Sequence, residues 1–359
     1  MMRLLSHDRP GHWLLTALLL ILLLTLAFAP FLLPGTKALA VAARILIFIL
    51  LAASYDLLLG YTGIVSFAQT TFFGFGAYGV AIALTRGGGW PALVLGAVAG
   101  IAVSVVLALA MALLSLRVRA IFFSMITLAL ARFAQVLASE WRGLTGGEDG
   151  LTFSVPRLIA PGFHPFAAPI LGLRVSGTVI AYYLIFAVTL VSFLVLLRIV
   201  NSPFGRVLQA IRENPFRAEA LGYQTIFHRA LASALAAGFA ALSGAMMAMQ
   251  LRYTNPDTTL SFSLMIDILL MVVIGGMGTL YGAALGATVM VLAQYYLQPA
   301  LAVLAAATQG VVFAPALFDP ERWLLWLGLI FVLVVTFFPA GIVGSLRARA
   351  EAAARAPIT

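Results

Sequence analysis

Ten stretches of this chain are long and apolar enough to seek a lipid bilayer, and no other feature limits its fold as strongly. They run over residues 13–33, 38–59, 66–85, 91–115, 120–140, 177–198, 229–250, 262–277, 281–298 and 323–343. A helix of about 20 apolar residues crosses the hydrocarbon core. Lipid offers no partner for a backbone N–H or C=O, so stretches of this length resolve into helices. The eighth and ninth are short and interrupted by glycine. They fit two spans, or one broken, re-entrant element. The expected fold is therefore all-α: a polytopic transmembrane helical bundle of about 8–10 spans with broken or re-entrant Gly-rich segments. Composition agrees. Hydrophobic residues make up 63% of the 359, charged residues only 9%, and mean hydropathy is +1.09. A soluble domain carries roughly 25% charge to cover its outside. A cytoplasmic globular enzyme, a disordered chain and a nucleic-acid-binding module are excluded. The net charge of +9 reads as arginine in cytoplasmic loops rather than as a nucleic-acid surface.

The first stretch has Arg3 and Arg9 before it, and Ala27-Phe28-Ala29 resembles a signal-peptide cleavage site. Its apolar run is too long for a signal peptide, and Pro30 would follow the cut, so a retained anchor helix is expected. With ten spans and the N-terminus inside, twelve basic residues fall inside and seven outside, Arg44 and Arg132 lying within spans. This bias places both termini in the cytoplasm. Residues 1–345 form one transmembrane domain, followed by a short basic cytoplasmic tail at 346–359.

Two hydrophilic loops interrupt the apolar pattern. Residues 141–176 fall outside, and their glycines and prolines suggest an ordered external cap. Residues 199–228 fall inside. Ser202-Pro203 offers a helix cap with proline in the first turn. Phe204 to Arg212 then forms a short amphipathic helix with Val207, Leu208 and Ile211 on one side. Pro215 restarts a second short helix and Gly222 stops it. Such a loop, carrying Arg206, Arg212, Glu213, Arg217 and Glu219, serves equally as a basic segment on anionic lipid or as a docking surface for a soluble partner.

Polar groups within spans are costly and face protein or water. Here they are Arg44, Asp56, Gln69, Arg132, Gln135 and Asp267. Asp56 reads as an interfacial residue before Gly60-Tyr61. Asp267 either pairs with Arg44 or Arg132 or faces a permeation path. Ser66, Gln69, Thr70 and Thr71 form a polar patch beside Gly63, with Thr127 mid-span in the fifth stretch. A half-unwound segment of this kind can meet a zwitterion, or it can bond helices together. Gly74, Gly76 and Gly79 match a dinucleotide fingerprint literally, but no strand precedes them and no acidic residue follows at the required distance, so close helix packing is expected. Gly278, Gly282 and Gly286, with Gly275 and Gly276 before them, read the same way, the alternative being a pore-lining break or a partner contact. The single lysine, Lys37, follows Thr36, so no phosphate-binding loop is present; there is no cysteine and no metal-ligand spacing among the four histidines.

Four blocks give the chain a family resemblance: GYTGIVSFAQTTFFGFGAYG at 60–79, FFSMITLALARFAQVLASEWRGLTGGEDGL at 122–151, NSPFGRVLQAIRENPFRAEALGY at 201–223, and NPDTTLSFSLMIDILLMVVIGGMGTLYGAALGA at 255–287. In this order they resemble the LivM-type branched-chain amino acid permeases of ABC importers, over about residues 38–345. Ala218-Glu219-Ala220-Leu221-Gly222 resembles the coupling loop that such permeases present to an ATPase. The resemblance implies a second, LivH-like permease chain, two cytoplasmic ATPase subunits that bind ATP-Mg, and a periplasmic solute-binding protein, all in a bacterial inner membrane. It implies no cofactor, metal or catalytic residue in this chain. It assigns Arg206, Arg212, Glu213, Glu219, Ala220 and Gly222 to ATPase coupling. It makes Ser66, Gln69, Thr71, Thr127, Asp267, Gly275 and Gly276 candidates for the translocation path. Gln69 stands where many relatives carry His, and Asp267 where Glu is common. These departures leave the cargo open between branched-chain amino acids and the urea or short amides that other relatives carry. An ATP-independent carrier is the other class compatible with the spans, with Asp267 the main residue available for a proton relay.

Overall fold

The computed structural model describes residues 13–32, 35–115, 120–164, 175–307, 319–338 and 341–344. The apolar stretches fold into helices: α1 (Trp13–Ala27), α2 (Ala29–Leu32), α3 (Thr36–Asp56), α4 (Gln69–Gly87), α5 (Gly89–Ser115), α6 (Ala120–Glu140), α7 (Arg142–Thr145) and α8 (Gly177–Val200). After them come α9 (Pro203–Glu213), α10 (Pro215–Ala220), α11 (Thr225–Leu251), α12 (Pro256–Thr259), α13 (Phe262–Gly275), α14 (Leu280–Ala307) and α15 (Trp323–Phe337). Seven helical segments among the described residues are long and apolar enough to cross a membrane: Thr36–Tyr61, Gly89–Leu113, Phe122–Glu140, Gly177–Val200, Thr225–Leu251, Pro256–Gly275 and Leu280–Ala307. The three other expected spans are also helical. α1 and α15 have 15 residues each, and the apolar content of α4, a continuous helix, is diluted by glycine and hydroxyl residues.

The core is built around α3, whose second half is almost wholly buried from Ile45 to Asp56. α4, α5 and α11 pack together beside it, and α13 and α14 form an antiparallel hairpin against it. Small residues set the spacing. A Cβ on Gly76 would strike the Ala241 carbonyl of α11, and one on Gly79 the Gly96 carbonyl of α5. The dinucleotide-like glycines are thus packing surfaces, as expected. In the hairpin, Gly282 faces the Gly275 carbonyl and Gly286 faces the Met271 carbonyl. Backbones come this close only where no side chain intervenes. The Tyr182 and Tyr183 hydroxyls of α8 donate to the Leu26 and Ala27 carbonyls. These bonds tie the end of α1, where the backbone needs acceptors filled, to the bundle.

Residues 141–164, read from sequence as part of an external cap, carry a short strand. β1 (Leu151–Thr152) pairs antiparallel with β2 (Tyr253–Thr254), Leu151 opposite Thr254. Gly146, Gly147 and Gly150 hold positive φ in the turn before β1, a conformation glycine adopts at little cost. This cap sits at one end of α11. The two-helix loop of α9 and α10 sits at the other, a helix of 27 residues away.

Candidate functional site

The loop between α8 and α11 folds from its own capping residues. The Ser202 hydroxyl accepts from the Gly205 N–H at the start of α9, and Asn214 accepts from the Arg217 N–H at the start of α10, each followed by proline at the first helical position. α10 ends where the Tyr223 N–H reaches the Ala218 carbonyl at 3.1 Å and the Gly222 N–H reaches Glu219 at 2.8 Å. Gly222 sits at φ 90°, the left-handed stop that a glycine permits. Leu208, Ile211 and Ala218 are buried beneath the loop, whereas Arg206, Glu213, Arg217 and Ala220 are exposed. Glu219, also exposed, accepts from the Thr225 hydroxyl at 2.6 Å. The outer surface is apolar at its tip, with Phe216 82% and Leu221 72% exposed.

The loop is seated on two breaks in the bundle. α3 continues as a π-helical turn at Leu57–Tyr61, after which the chain is unwound until Gln69. The α13–α14 turn spans Gly276 to Thr279, with Gly276 and Gly278 at positive φ. Arg212 of α9 donates to the Gly60 carbonyl. Its guanidinium also lies 3.0 Å from where a Cβ on Gly278 would stand, and its stem lies 3.1 Å from the Cβ position of Gly63. One arginine therefore covers three glycines from both breaks. Asp56, which the sequence placed at the interface, is fully buried and joins the same breaks. Its Oδ1 accepts from the Gly278 N–H at 2.8 Å. A carboxylate held by a backbone N–H at a tight turn is a strong, charge-assisted bond, and this role was missed from sequence because Asp56 and Gly278 lie 222 residues apart.

The unwound segment is held by α6. The Ser124 hydroxyl donates to the Val65 carbonyl at 2.8 Å, and Thr127 accepts from the Phe67 N–H at 2.9 Å. Ser66, Gln69, Thr71 and Thr127 are all buried. The Gln69 amide nitrogen donates to Ser54 at 2.8 Å and to the Ala236 carbonyl at 3.4 Å, bridging α3, α4 and α11. Gly275 and Gly276 are also buried, against Gly282 and against Gly341. Gln69 thus bonds helix to helix, Thr127 bonds α6 to the unwound segment, Gly275 and Gly276 pack against neighbouring backbone, the Ser66 hydroxyl accepts locally from the Ala68 N–H at 3.3 Å, and Thr71 lines a cavity between α4, α5 and α6.

Asp267 is partly buried on α13 and accepts from Gln294 of α14 at 2.9 Å. The hydrogen bond comes from an amide, while the Arg44 guanidinium is near enough for its charge to act on Asp267 and donates its own bond to the Tyr295 hydroxyl at 2.7 Å, one residue further along α14. Arg132 bonds Gln135, three residues on, at 2.9 Å. Among the described residues no group of three or more His, Cys, Asp or Glu is placed to hold a metal.

A bundle of long apolar helices joined by a capped polar loop, with helix breaks held by buried polar bonds, is the build of a multi-pass membrane transport component. The chain belongs to the family described as branched-chain amino acid transport system / permease component, which matches residues 37–335. It is 26% identical over 292 residues to the high-affinity branched-chain amino acid transport system permease protein LivM of Escherichia coli strain K12, covering 77% of this chain and 67% of that one. It is 25% identical to the corresponding LivM protein of Salmonella typhimurium, with the same coverage. A probable branched-chain amino acid transport permease protein LivM of Methanocaldococcus jannaschii is 28% identical over 202 residues, 52% of this chain and 53% of its own length. No solved structure shows a significant match.

Proposed function

We propose that this permease subunit works in an ABC importer of the bacterial inner membrane, with both termini cytoplasmic, and that it carries branched-chain amino acids. Its partners are a second permease chain of LivH type, two cytoplasmic ATPase subunits that supply the ATP-Mg chemistry, and a periplasmic solute-binding protein. The observation that carries this reading is the loop of α9 and α10. It buries Leu208 and Ile211 inward and turns Phe216 and Leu221 outward. A segment resting on lipid places its apolar side against the membrane and its polar side toward water. This loop holds one apolar set against the bundle and a second at its tip, the arrangement of a helix that fills a groove on a partner. Arg212 and Asp56 then link the loop to the breaks after α3 and before α14. A push on the loop reaches those breaks without passing through a flexible linker. Alternating access follows if the breaks are where the spans change tilt.

The test is co-purification of the detergent-solubilised subunit with the ATPase subunits encoded beside it. Wild type is compared with Phe216→Glu and with a variant altered at Glu219 and Gly222. Retention of the ATPases by wild type and their loss from the folded Phe216→Glu subunit is the expected result. A well-folded wild type that retains no ATPase would refute the importer assignment and bring an ATP-independent carrier forward.

A further inference from the structure

α6 has three sides. At about 100° per residue, Thr127, Ala131, Ala134 and Ala138 fall together and are buried. One flank is apolar and exposed, including Met125, Phe133 and Val136. The other flank gathers Ser124, Arg132, Gln135 and Ser139 in a narrow stripe, which, apart from Thr127 and the terminal Glu140, is the whole polar content of the helix. Arg132 stands about 18 Å along the helix from Ala120 and about 12 Å from Glu140 at 1.5 Å per residue. An exposed guanidinium at that depth is costly against lipid tails, so the stripe faces water or protein.

What borders the stripe is a set of complementary groups. Arg132 donates to the Gln135 Oε1 at 2.9 Å, and its guanidinium lies 5.0 Å from the centre of the Phe262 ring. The Gln135 amide nitrogen faces the Asp257 Oδ1 at 3.4 Å. Phe67, from the unwound segment, lies 6.3 Å from Phe262. Tyr78 of α4 is buried with Ala138 of α6 and Leu260, and its hydroxyl has no hydrogen-bond partner among the described residues. A cation and an anion are thus held apart by one amide, whose oxygen meets the cation and whose nitrogen meets the anion. The carboxylate and ammonium of an α-amino acid carry the same polarity over a comparable span, with full charges in place of partial ones. The aromatic pair lies beside the cation, where an aliphatic side chain would be sheltered.

We propose that Arg132, Asp257 and Phe262 form a transient binding site for a zwitterionic amino acid on the path wall, with Gln135 occupying the gap between passages. Arg132 takes the carboxylate in a charge-assisted bond and Asp257 takes the ammonium. Gln135 swings aside and restores the neutral link once the solute leaves. The site rests on the importer assignment above for its cargo class. Formal charges on both sides favour a zwitterion over urea or a short amide, which would leave each charge only partly answered.

The experiment is uptake by the full transporter reconstituted in liposomes, with labelled leucine and labelled urea as probes and ATP hydrolysis measured in parallel. The expected result is that wild type moves leucine, and that Arg132→Gln and Asp257→Asn each lower leucine moved per ATP hydrolysed by about tenfold or more, Arg132→Lys recovering part of the loss. Asp257→Asn keeps the shape of an exposed side chain, so it decides the matter even where Arg132→Gln fails to assemble. Wild-type leucine transport with an unchanged ratio in Asp257→Asn would overturn the site and leave the importer assignment standing. Wild-type transport of urea without leucine would overturn the cargo assignment and the site with it.

Discussion

Removing the Arg212 side chain should loosen the link between the α9–α10 loop and the bundle. The guanidinium donates to the Gly60 carbonyl, which belongs to the π-helical turn ending α3. A hydrogen bond from a charged donor contributes about 1.5–3 kcal/mol when shielded. Arg212 is exposed, so water competes and the lower part of that range applies. Its position at the carbonyl end of a helix adds about 0.3–1 kcal/mol. The total is about 2 kcal/mol, or roughly a 30-fold shift in the equilibrium between seated and unseated loop. Arg212→Ala should therefore leave helix content and ATPase binding in place, since Phe216 and Leu221 lie on the opposite side of the loop. Solute moved per ATP should fall by about tenfold or more. Parallel measurement of uptake and hydrolysis in reconstituted vesicles reads this directly. A wild-type ratio in a correctly assembled Arg212→Ala complex would refute the argument, because force would then reach the spans by some other contact.

Gly286→Ala puts a methyl group against the Met271 carbonyl and should lower the stability of the α13–α14 hairpin by about 1–3 kcal/mol, visible as a reduced melting temperature in detergent. Leu208→Ala opens a cavity under the loop at a fully buried position and should cost about 2–5 kcal/mol, with faster proteolysis between α8 and α11 as the readout. Gly222→Ala must hold φ near 90°, at a cost of about 1–2 kcal/mol, and the Tyr223 amide should lose protection from hydrogen exchange. Asp267→Asn keeps an acceptor for Gln294 and should change stability by less than about 1 kcal/mol, whereas Gln294→Leu removes the hydrogen-bond donor to the carboxyl and should cost about 1–3 kcal/mol. Equal effects of the last two would show that Asp267 acts through a partner other than Gln294.

Local signals were legible to the extent that they act locally. Ser202-Pro203 starts α9, Pro215 starts α10 and Gly222 stops it, because capping involves residues three or four apart; the Asn214 cap was added by the structure. Leu208 and Ile211 fall on the buried side as the helical period requires. The glycines of α4 and α14 were recognisable as close-packing surfaces because a missing side chain has one common use between apolar helices. The partner of Asp56 was not legible, for the opposite reason. Nothing near it in the chain marks a partner, and its acceptor role depends on a backbone N–H from another hairpin. Asp267 shows the same limit in part: the Arg44 charge expected from sequence does act on it, but its hydrogen bond comes from Gln294, which no local pattern marked.

The sequence by itself determined that the chain is a helical membrane bundle, where its polar loop lies, and the family to which it belongs. These follow from the number and length of apolar runs and from motif order, which need no knowledge of what packs on what. Only the tertiary structure decided which polar groups meet. It buried Gln69 and Thr127 between helices, set Arg212 on Gly60, and brought Asp257 of α12 to Gln135 of α6 across 122 residues of chain. In a bilayer the hydrophobic pattern says only that a polar side chain must avoid lipid. Which of the remaining surfaces it meets is settled by how the helices pack.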